Sequence, residues 1–403
     1  MESQNSLKAS AEKNSLASVE DVRKVIIIGG GIGGLTTAVA LQQRGIEAHV
    51  YEAAPAIEPL GAGILIAPNA LSVFERLGFA DDIKHIGFPL YNGVVTDMKG
   101  RTLQQFDVRE FTQEALPIVP IHRAKLQDCL IRQMKPETLH LGKRTVSLSQ
   151  SESGVTASFE DGSEATGDVL IGADGIRSRV RTSLFGEVQY RYSGQTCWRG
   201  VVNVSLPENR VTAEMWGIER GVRFGYTQID AESVYFFATA CAEAGGQDTP
   251  GMVKSHLLEL YREFPPVVRQ CIQALNDDAE HPLIRSDIWD FAPIPTWHKG
   301  RVVLLGDAAH ATTPNLGQGG CQAIEDAFVI ADALAEQSSI EVAFEEYERI
   351  RMPKARFVVQ TSYRIAQLVN LGGIPARMRN FLARYAPKAA SQRQFRYLYS
   401  NNF

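Results

Sequence analysis

Residues 24–52, KVIIIGGGIGGLTTAVALQQRGIEAHVYE, leave this chain few folds to choose from. A run of β-branched residues ends in a cluster of glycines, a helix-like segment follows and closes near Gly45, and EAHVYE supplies the next strand. Such a βαβ unit of about 30 residues commits the chain to a parallel sheet with helices packed on its faces. Gly29, Gly31 and Gly34 have the GxGxxG spacing, with Gly33 inside the same run. In that spacing the glycines serve a tight turn, a close backbone approach to a pyrophosphate, and close packing of helix on strand. The helix N-terminus adds free N–H groups and a favourable dipole for phosphate. Glu52, followed by Ala53, ends the second strand, where a carboxylate accepts hydrogen bonds from both hydroxyls of an adenosine ribose and repels a 2′-phosphate. The expectation is the ADP half of FAD or NAD rather than NADP. A glycine turn with no ligand is the plainer reading, and strand, helix and acid in register weigh against it.

A second signature lies far downstream, in GDAAHATTPNLGQGGCQAIEDA over residues 306–327. Asp307 follows the apolar strand RVVLL and can accept from ribityl hydroxyls, while Gly317, Gly319 and Gly320 let backbone approach a flat isoalloxazine ring. A helix starting near Gly320 aims its positive end at the flavin N1 and C2 carbonyl region, where negative charge accumulates on reduction. That arrangement would be idle beside a nicotinamide, so one long cofactor held from both ends accounts for the two glycine-rich segments. Between them, GADGIRSRVR sets Asp174 and Gly175 in a turn after a strand; alone it is a common turn with arginines on a solvated edge. His310, in a small-residue turn, reads as structural rather than as a base.

The 403 residues carry a formal net charge of -5, which argues against a nucleic-acid binder. Five scattered cysteines form no CxxC pair, and no histidine stands at metal-ligand spacing, so no metal is expected and the thiols read as reduced in a cytoplasmic protein. The first 22 residues read as a polar, disordered tail without the apolar core of a secretory signal. No apolar run approaches the roughly 20 residues that span a bilayer. The expected organisation is a discontinuous cofactor-binding domain, residues 23–190 and 285–345, interrupted by a sheet domain over 191–284. Strand-like QTCWRGVVNV, VRFGYTQI and SVYFFATA mark that insert. Alternation puts Arg223, Gly225 and Thr227 on one face, Phe224 and Tyr226 on the other, and Tyr235 with Phe237 on a shared face. Trp198, Trp216 and these aromatics could line a flat apolar pocket, and packing them into a core is the plainer alternative. Residues 346–403 read as helices interrupted at Pro353, Pro375 and Pro387.

The GxGxxG, the Asp174 element and the Asp307 element, in this order and spacing, resemble the para-hydroxybenzoate hydroxylase-like, or class A, FAD-dependent monooxygenases. SGQTCWRGVV and AEMWGIERGVRFGYTQI look most like the 2-alkyl-3-hydroxy-4-quinolone synthase branch, with urate hydroxylases as further relatives. The resemblance implies an α/β fold with a Rossmann-like FAD domain of the glutathione-reductase type and an inserted substrate sheet. It implies FAD as cofactor, NADH or NADPH and O2 as co-substrates, and hydroxylation of a small aromatic or heteroaromatic ring through a flavin C4a-hydroperoxide, in a monomer or homodimer. It maps a flavin-side arginine onto Arg123, gives Asp174 a part in FAD binding and pyridine nucleotide use, and puts the backbone of Leu316, Gly317, Gln318, Gly319, Gly320 and Cys321 against the ring. Pro314 then lies at the substrate pocket. An Arg, a Tyr and an Asp that orient and activate urate in relatives become Arg223, Tyr235 and Asn315; Asn cannot hold the charge of an Asp, which speaks against deprotonation of a urate-like substrate. A halogenase on this fold would carry a WxWxIP segment, which is missing; the nearest string is IPTW at 294–297. A flavin reductase would consume no stoichiometric oxygen, and a binding module of the GDP dissociation inhibitor type would not need the GQGG turn. After Glu348 there is no Asp or Glu, so the basic C-terminal helices either cap the acidic FAD domain or make peripheral contact with an anionic membrane.

Overall fold

The computed structural model describes residues 22–57, 62–111, 116–207, 211–275, 283–386, 388–401 and 403. The expected tail lies outside these except for Val22, which is buried. The βαβ unit forms as read: Lys24–Ile28, the helix Ile32–Gln43, then Glu47–Tyr51. These strands belong to a six-stranded sheet in the order His298–Lys299, Val302–Leu304, Val169–Gly172, Lys24–Ile28, Glu47–Tyr51, Leu139–His140. All neighbours are parallel except the first pair. Val25, Ile26, Ile27, Leu170 and Ile171 are fully buried because both faces are covered, by helices such as Ile32–Gln43 and by a three-stranded antiparallel sheet, Thr145–Gln150, Val155–Phe159 and Glu164–Gly167, whose Val155, Ala157 and Phe159 join the same core; strands so enclosed are apolar throughout. The register aligns Ile28 with Tyr51 and Gly172, and Gly172 with Leu304, so four adjacent strands end along one edge.

The second sheet has seven strands, ordered Ile284–Phe291, Tyr190–Asn203, Ser233–Cys241, Arg223–Gln228, Thr212–Trp216, Asn92–Asp97, Thr102–Asp107. It reaches beyond the expected 191–284 on both sides. Asn92–Asp107 joins through a parallel pairing of Val94–Asp97 with Ala213–Trp216, a contact between distant segments that leaves no mark on local periodicity. One face packs Trp198, Phe224, Tyr226, Phe236 and Ala238 into a core with the helices Val253–Leu260 and Pro266–Gln273. Trp198 is therefore not a pocket residue. It is 3% exposed, its indole N–H donates to Asp248 at 2.8 Å, and its register one position from Arg199 turns it to the covered side. Arg199, Glu214, Trp216, Arg223, Tyr235 and Phe237 belong to the opposite face.

The helix Ile340–Val369 runs unbroken through Pro353, contrary to the expected interruption. Proline removes one backbone donor and crowds the preceding turn. Pro353 lies on the solvent side, where a freed carbonyl is open to hydration, while its neighbours Arg351, Met352, Lys354 and Ala355 are buried and anchor the helix. Pro375 falls in the first turn of Gly373–Tyr385, where no donor is lost, and Pro387 lies outside the described residues. The helix Lys388–Tyr399 leads to a C-terminus tied to the first sheet's helices: Ser400 O accepts from Lys354 Nζ at 2.7 Å, and Asn401 Nδ2 donates to Asn69 O at 2.9 Å.

Candidate active site

The edge where the four parallel strands end gathers the sequence-predicted cofactor residues. Asp307 follows Val302–Leu304, Asp174 follows Val169–Gly172, Gly29 to Gly31 follow Lys24–Ile28, and Glu52 follows Glu47–Tyr51. Three inter-strand steps of about 4.8 Å separate the outer two, a span of roughly 15 Å that calls for an extended dinucleotide. Gly29 sits at φ 113°, and a Cβ there would collide with the Ala173 carbonyl; a Cβ on Gly34 would collide with the carbonyl of Gly29. One on Gly33 would press into Leu305. Gly31 differs. It caps the Ile32–Gln43 helix at an ordinary φ of -72°, and a Cβ there would meet nothing within 4 Å. Neither backbone nor protein packing demands a glycine at this helix N-terminus, so the space beside it suits a pyrophosphate that uses the free N–H groups.

Glu52 accepts from Gly30 N at 2.6 Å and from Ala54 N at 2.8 Å, which fixes its carboxylate at the cleft with lone pairs left for a ribose diol. Ala53 is half-buried beside it. Asp307 and Arg123 are exposed to the cleft, feel each other's charge, and make no side-chain hydrogen bond to protein among the described residues. Surrounding protein pushes the Asp307 pKa up despite the opposing charges of His310 and Arg123. An unengaged carboxylate facing an unengaged guanidinium along the same edge matches a ligand rich in hydroxyl and phosphate groups, so the residues present fit FAD. Asp174 is different: its oxygens accept from Ser178 Oγ at 2.5 Å, Arg179 N at 2.7 Å and Val180 N at 3.1 Å, which places the carboxylate as a cap on the helix Arg179–Phe185. Burial nevertheless raises its pKa, against those hydrogen bonds.

The second glycine-rich turn is held from behind. Gly317 is left-handed after the short helical turn Pro314–Leu316, and Gly319 opens the long helix Gly319–Glu336. Gln318 and Cys321 turn their side chains into the protein, leaving backbone to face the cleft. Gln318 Oε1 accepts from Asn69 at 3.1 Å and Gln322 at 3.0 Å, and burial pushes the Cys321 thiol up to about 12. Gly320 packs against Ile64. Beneath them lies a buried ionic network that the sequence reading did not find. Arg351 pairs with Glu325 and, at 2.7 Å, with Asp326; Lys354 reaches Glu325 at 2.9 Å; His310 Nε2 meets Asp326 at 2.6 Å; and Gly306 N donates to Asp326 at 3.1 Å. One carboxylate thus ties the Asp307 turn to the GQGG helix, with His310 in a structural place. Burial pushes the Asp326 pKa up, but His310 and Arg351 more than offset this and hold it at about 2. The i, i+1 acids in an otherwise apolar helix were the available signal, since buried charges are seldom left unpaired.

The open face of the second sheet meets this turn. Arg223, 3% exposed, donates from Nη2 to Asn315 Oδ1 at 2.9 Å and from Nη1 to Glu214 at 3.2 Å, with Phe237 under its guanidinium at 5.3 Å. Asn315 in turn donates to Thr313 Oγ1 at 2.9 Å and Ser362 O at 3.1 Å. Glu214 also accepts from the Trp216 indole at 2.6 Å, so its negative charge neutralises Arg223 locally. Tyr235 packs its ring over Gly63, where a Cβ would lie 2.6 Å from its own Cβ, and its hydroxyl feels the charge of Arg199, which donates to Ser286 at 2.8 Å. Burial raises the Tyr235 phenol to about 12 against the charge of Arg199, so it stands neutral as a donor. The structure thus brings Arg223 and Asn315 into contact and sets Tyr235 on the same sheet face. Pro314 is exposed beside Asn315. Phe237, half-buried on this face, stands where alternation set it with Tyr235, whereas Arg199 and Glu214 were not among the predicted site residues; the same period-two alternation, extended across the neighbouring strands, marks them.

Comparison with known proteins identifies the family and the fold. A family model described as an FAD binding domain matches residues 23–362. The aurachin C monooxygenase/isomerase of Stigmatella aurantiaca is 40% identical over 346 residues, covering 85% of this chain and 89% of that protein. An FAD-dependent urate hydroxylase of Klebsiella pneumoniae is 35% identical over 83% of this chain and 88% of its own. The crystal structure of Klebsiella pneumoniae HpxO complexed with FAD and uric acid superposes with a TM-score of 0.86 at 31% identity, covering 94% of this chain and 97% of that one.

Proposed function

The chain belongs to the FAD-binding-domain family, as one of the class A FAD-dependent monooxygenases that hydroxylate aromatic or heteroaromatic rings, and on that premise we propose that its substrate is a neutral heteroaromatic ring bearing a carbonyl or hydroxyl group, of the alkylquinolone type. The observation that carries this reading is the state of Arg223. Its guanidinium is already balanced by the Glu214 carboxylate, and its partner on the glycine-rich turn is an amide, Asn315, which cannot take a proton from the substrate. A cation so neutralised favours a polar neutral group over an anion.

When bound, FAD supplies the chemistry, accepting reducing equivalents from NADH or NADPH and activating O2. The protein's part is to bind, orient and exclude water. Gly31 and the helix N-terminus behind it take the pyrophosphate, Glu52 the adenosine ribose, and Asp307 with Arg123 the ribityl end. The GQGG backbone, braced by Asp326, takes the ring. Arg223 and Asn315 orient the substrate's oxygen, Tyr235 keeps its proton on the phenolic oxygen and donates, and Phe237 with Val201, which pairs with Tyr235 on the neighbouring strand and clusters with it, supplies an apolar wall. Pro314 borders the same space. We place the enzyme in the cytoplasm, as a monomer or homodimer. A screen of substrate-stimulated NADH and NADPH oxidation across alkylquinolones, hydroxybenzoates and urate tests the substrate class. Alkylquinolones should stimulate most, whereas equal or greater stimulation by urate overturns the reading from Asn315.

A further inference from the structure

The helix Gly373–Tyr385 is anchored on one side and bare on the other. Its inner side carries Ala376, Arg379 and Asn380. Arg379 donates to Leu368 O, Val369 O and Gly217 O at 3.1, 3.2 and 2.7 Å, and lies 5.1 Å over the Trp216 ring. Gly373 N donates to Ile218 O at 2.7 Å, which fixes the entry of the helix. These contacts hold the segment rigidly against the sheet that carries Arg223.

The outer side is apolar. Ile374 is 79% exposed, Met378 56%, Phe381 58%, Leu382 60% and Tyr385 67%, with Leu368 at 53% just before the helix. Positions i, i+4, i+7, i+8 and i+11 form one continuous stripe of a helix. Single exposed apolar side chains are ordinary, but a contiguous stripe marks a surface that something covers. The chain's own last helix does not supply the cover: Phe395 packs on Phe106 and Phe111, and the C-terminus is tied to Lys354 and Asn69.

Charge identifies the occupant. Arg377 and Arg384 are exposed on the same helix, and Arg364, Arg393 and Arg396 are exposed on the helices before and after it. No Asp or Glu occurs after Glu348. A second copy packed face to face would set this acid-free segment against itself, which like-charge repulsion opposes. An anionic lipid surface satisfies both features at once, taking the apolar stripe into its interface and the arginines at its headgroups.

We propose that Gly373–Tyr385 docks the protein on an anionic lipid surface through the Ile374–Met378–Phe381–Leu382–Tyr385 stripe. The inference does not depend on which ring the enzyme hydroxylates. The test is cosedimentation of the FAD-loaded enzyme with vesicles of phosphatidylcholine alone or mixed with phosphatidylglycerol, at low salt. The enzyme should pellet with the mixed vesicles and remain soluble with phosphatidylcholine. Arg377→Gln and Arg384→Gln should each weaken partitioning about fivefold, and Met378→Ser/Phe381→Ser/Leu382→Ser should abolish it with bound flavin unchanged. Should the triple variant not fold, the arginine variants carry the test alone. No pelleting with mixed vesicles overturns the proposal, as does pelleting that neither set of variants alters. A dimer in sedimentation velocity that the triple variant dissociates also overturns it, in favour of a second copy.

Discussion

At the scale of single residues, the two ends of the glycine cluster make opposite predictions. Gly34→Ala forces a methyl into the Gly29 carbonyl and should cost folded protein. Gly31→Ala meets no protein atom, so the apoprotein should melt as the wild type does while FAD binding weakens about tenfold or more. Equilibrium flavin titration beside a thermal melt separates the two. Arg223→Gln removes the donors to Glu214 and Asn315, leaves the flavin cleft untouched, and should lose substrate stimulation of NAD(P)H oxidation with FAD content intact. A variant that still responds to substrate with an unchanged KM would remove Arg223 from the site. Much of this was legible in the chain: motif spacing gave Gly29 to Gly34, Glu52 and Asp307, and alternation gave the face of Arg223 and Tyr235. For Trp198 the plainer of the two readings, packing into the core, is the one realised, because a strand's register, not its composition, decides which alternate set faces the core. Asp174 read as a turn residue from its neighbours and as a cofactor residue only through the resemblance, and its engagement by Ser178, Arg179 and Val180 depends on the helix after it.

At the scale of elements, the long helices carry the prediction for pH. Asp326 joins the Gly306 turn, His310 and Arg351, and its pKa is lowered to about 2 from an ordinary 3.8. A carboxyl depressed by folding contributes stability that is full above its unfolded pKa and disappears as pH falls through its folded one. That contribution is therefore present at neutral pH and lost between about pH 4 and about pH 2. Asp326→Asn should lower the melting temperature at pH 7 and lessen its fall across the acid range in scanning calorimetry. Parallel acid profiles for variant and wild type would show that the pairing contributes nothing. Pro353, solvent-facing in an unbroken helix, makes a simpler case. Pro353→Ala restores a backbone donor and removes a clash, and should stabilise by about 1 kcal/mol or more in a thermal or denaturant melt. A loss of stability instead would show that the ring packs productively. Sequence reasoning placed a break here because proline's local cost is visible while the buried ion pairs that outweigh it are contributed by another helix.

At the scale of the whole molecule, the parallel sheet and its helices followed from local patterns, since β-branched runs and glycine turns are short-range signals. The second sheet was only partly legible: Asn92–Asp107 joins it through pairing with Ala213–Trp216, more than a hundred residues away. The result is one site assembled from two sheets, with the strand Gly63–Ile66 between them, Gly63 under Tyr235 and Ile64 against Gly320. No helix among the described residues is long and apolar enough to cross a membrane. The central claim is that this assembly uses FAD to insert one atom of O2 into a heteroaromatic ring. The direct measurement is product mass after turnover with NADH or NADPH under oxygen-18 gas, using the substrate that most stimulates oxidation. The account predicts one labelled oxygen in the product, and none when only the water is labelled. An unlabelled product, or a reduced one formed without oxygen uptake, would contradict it.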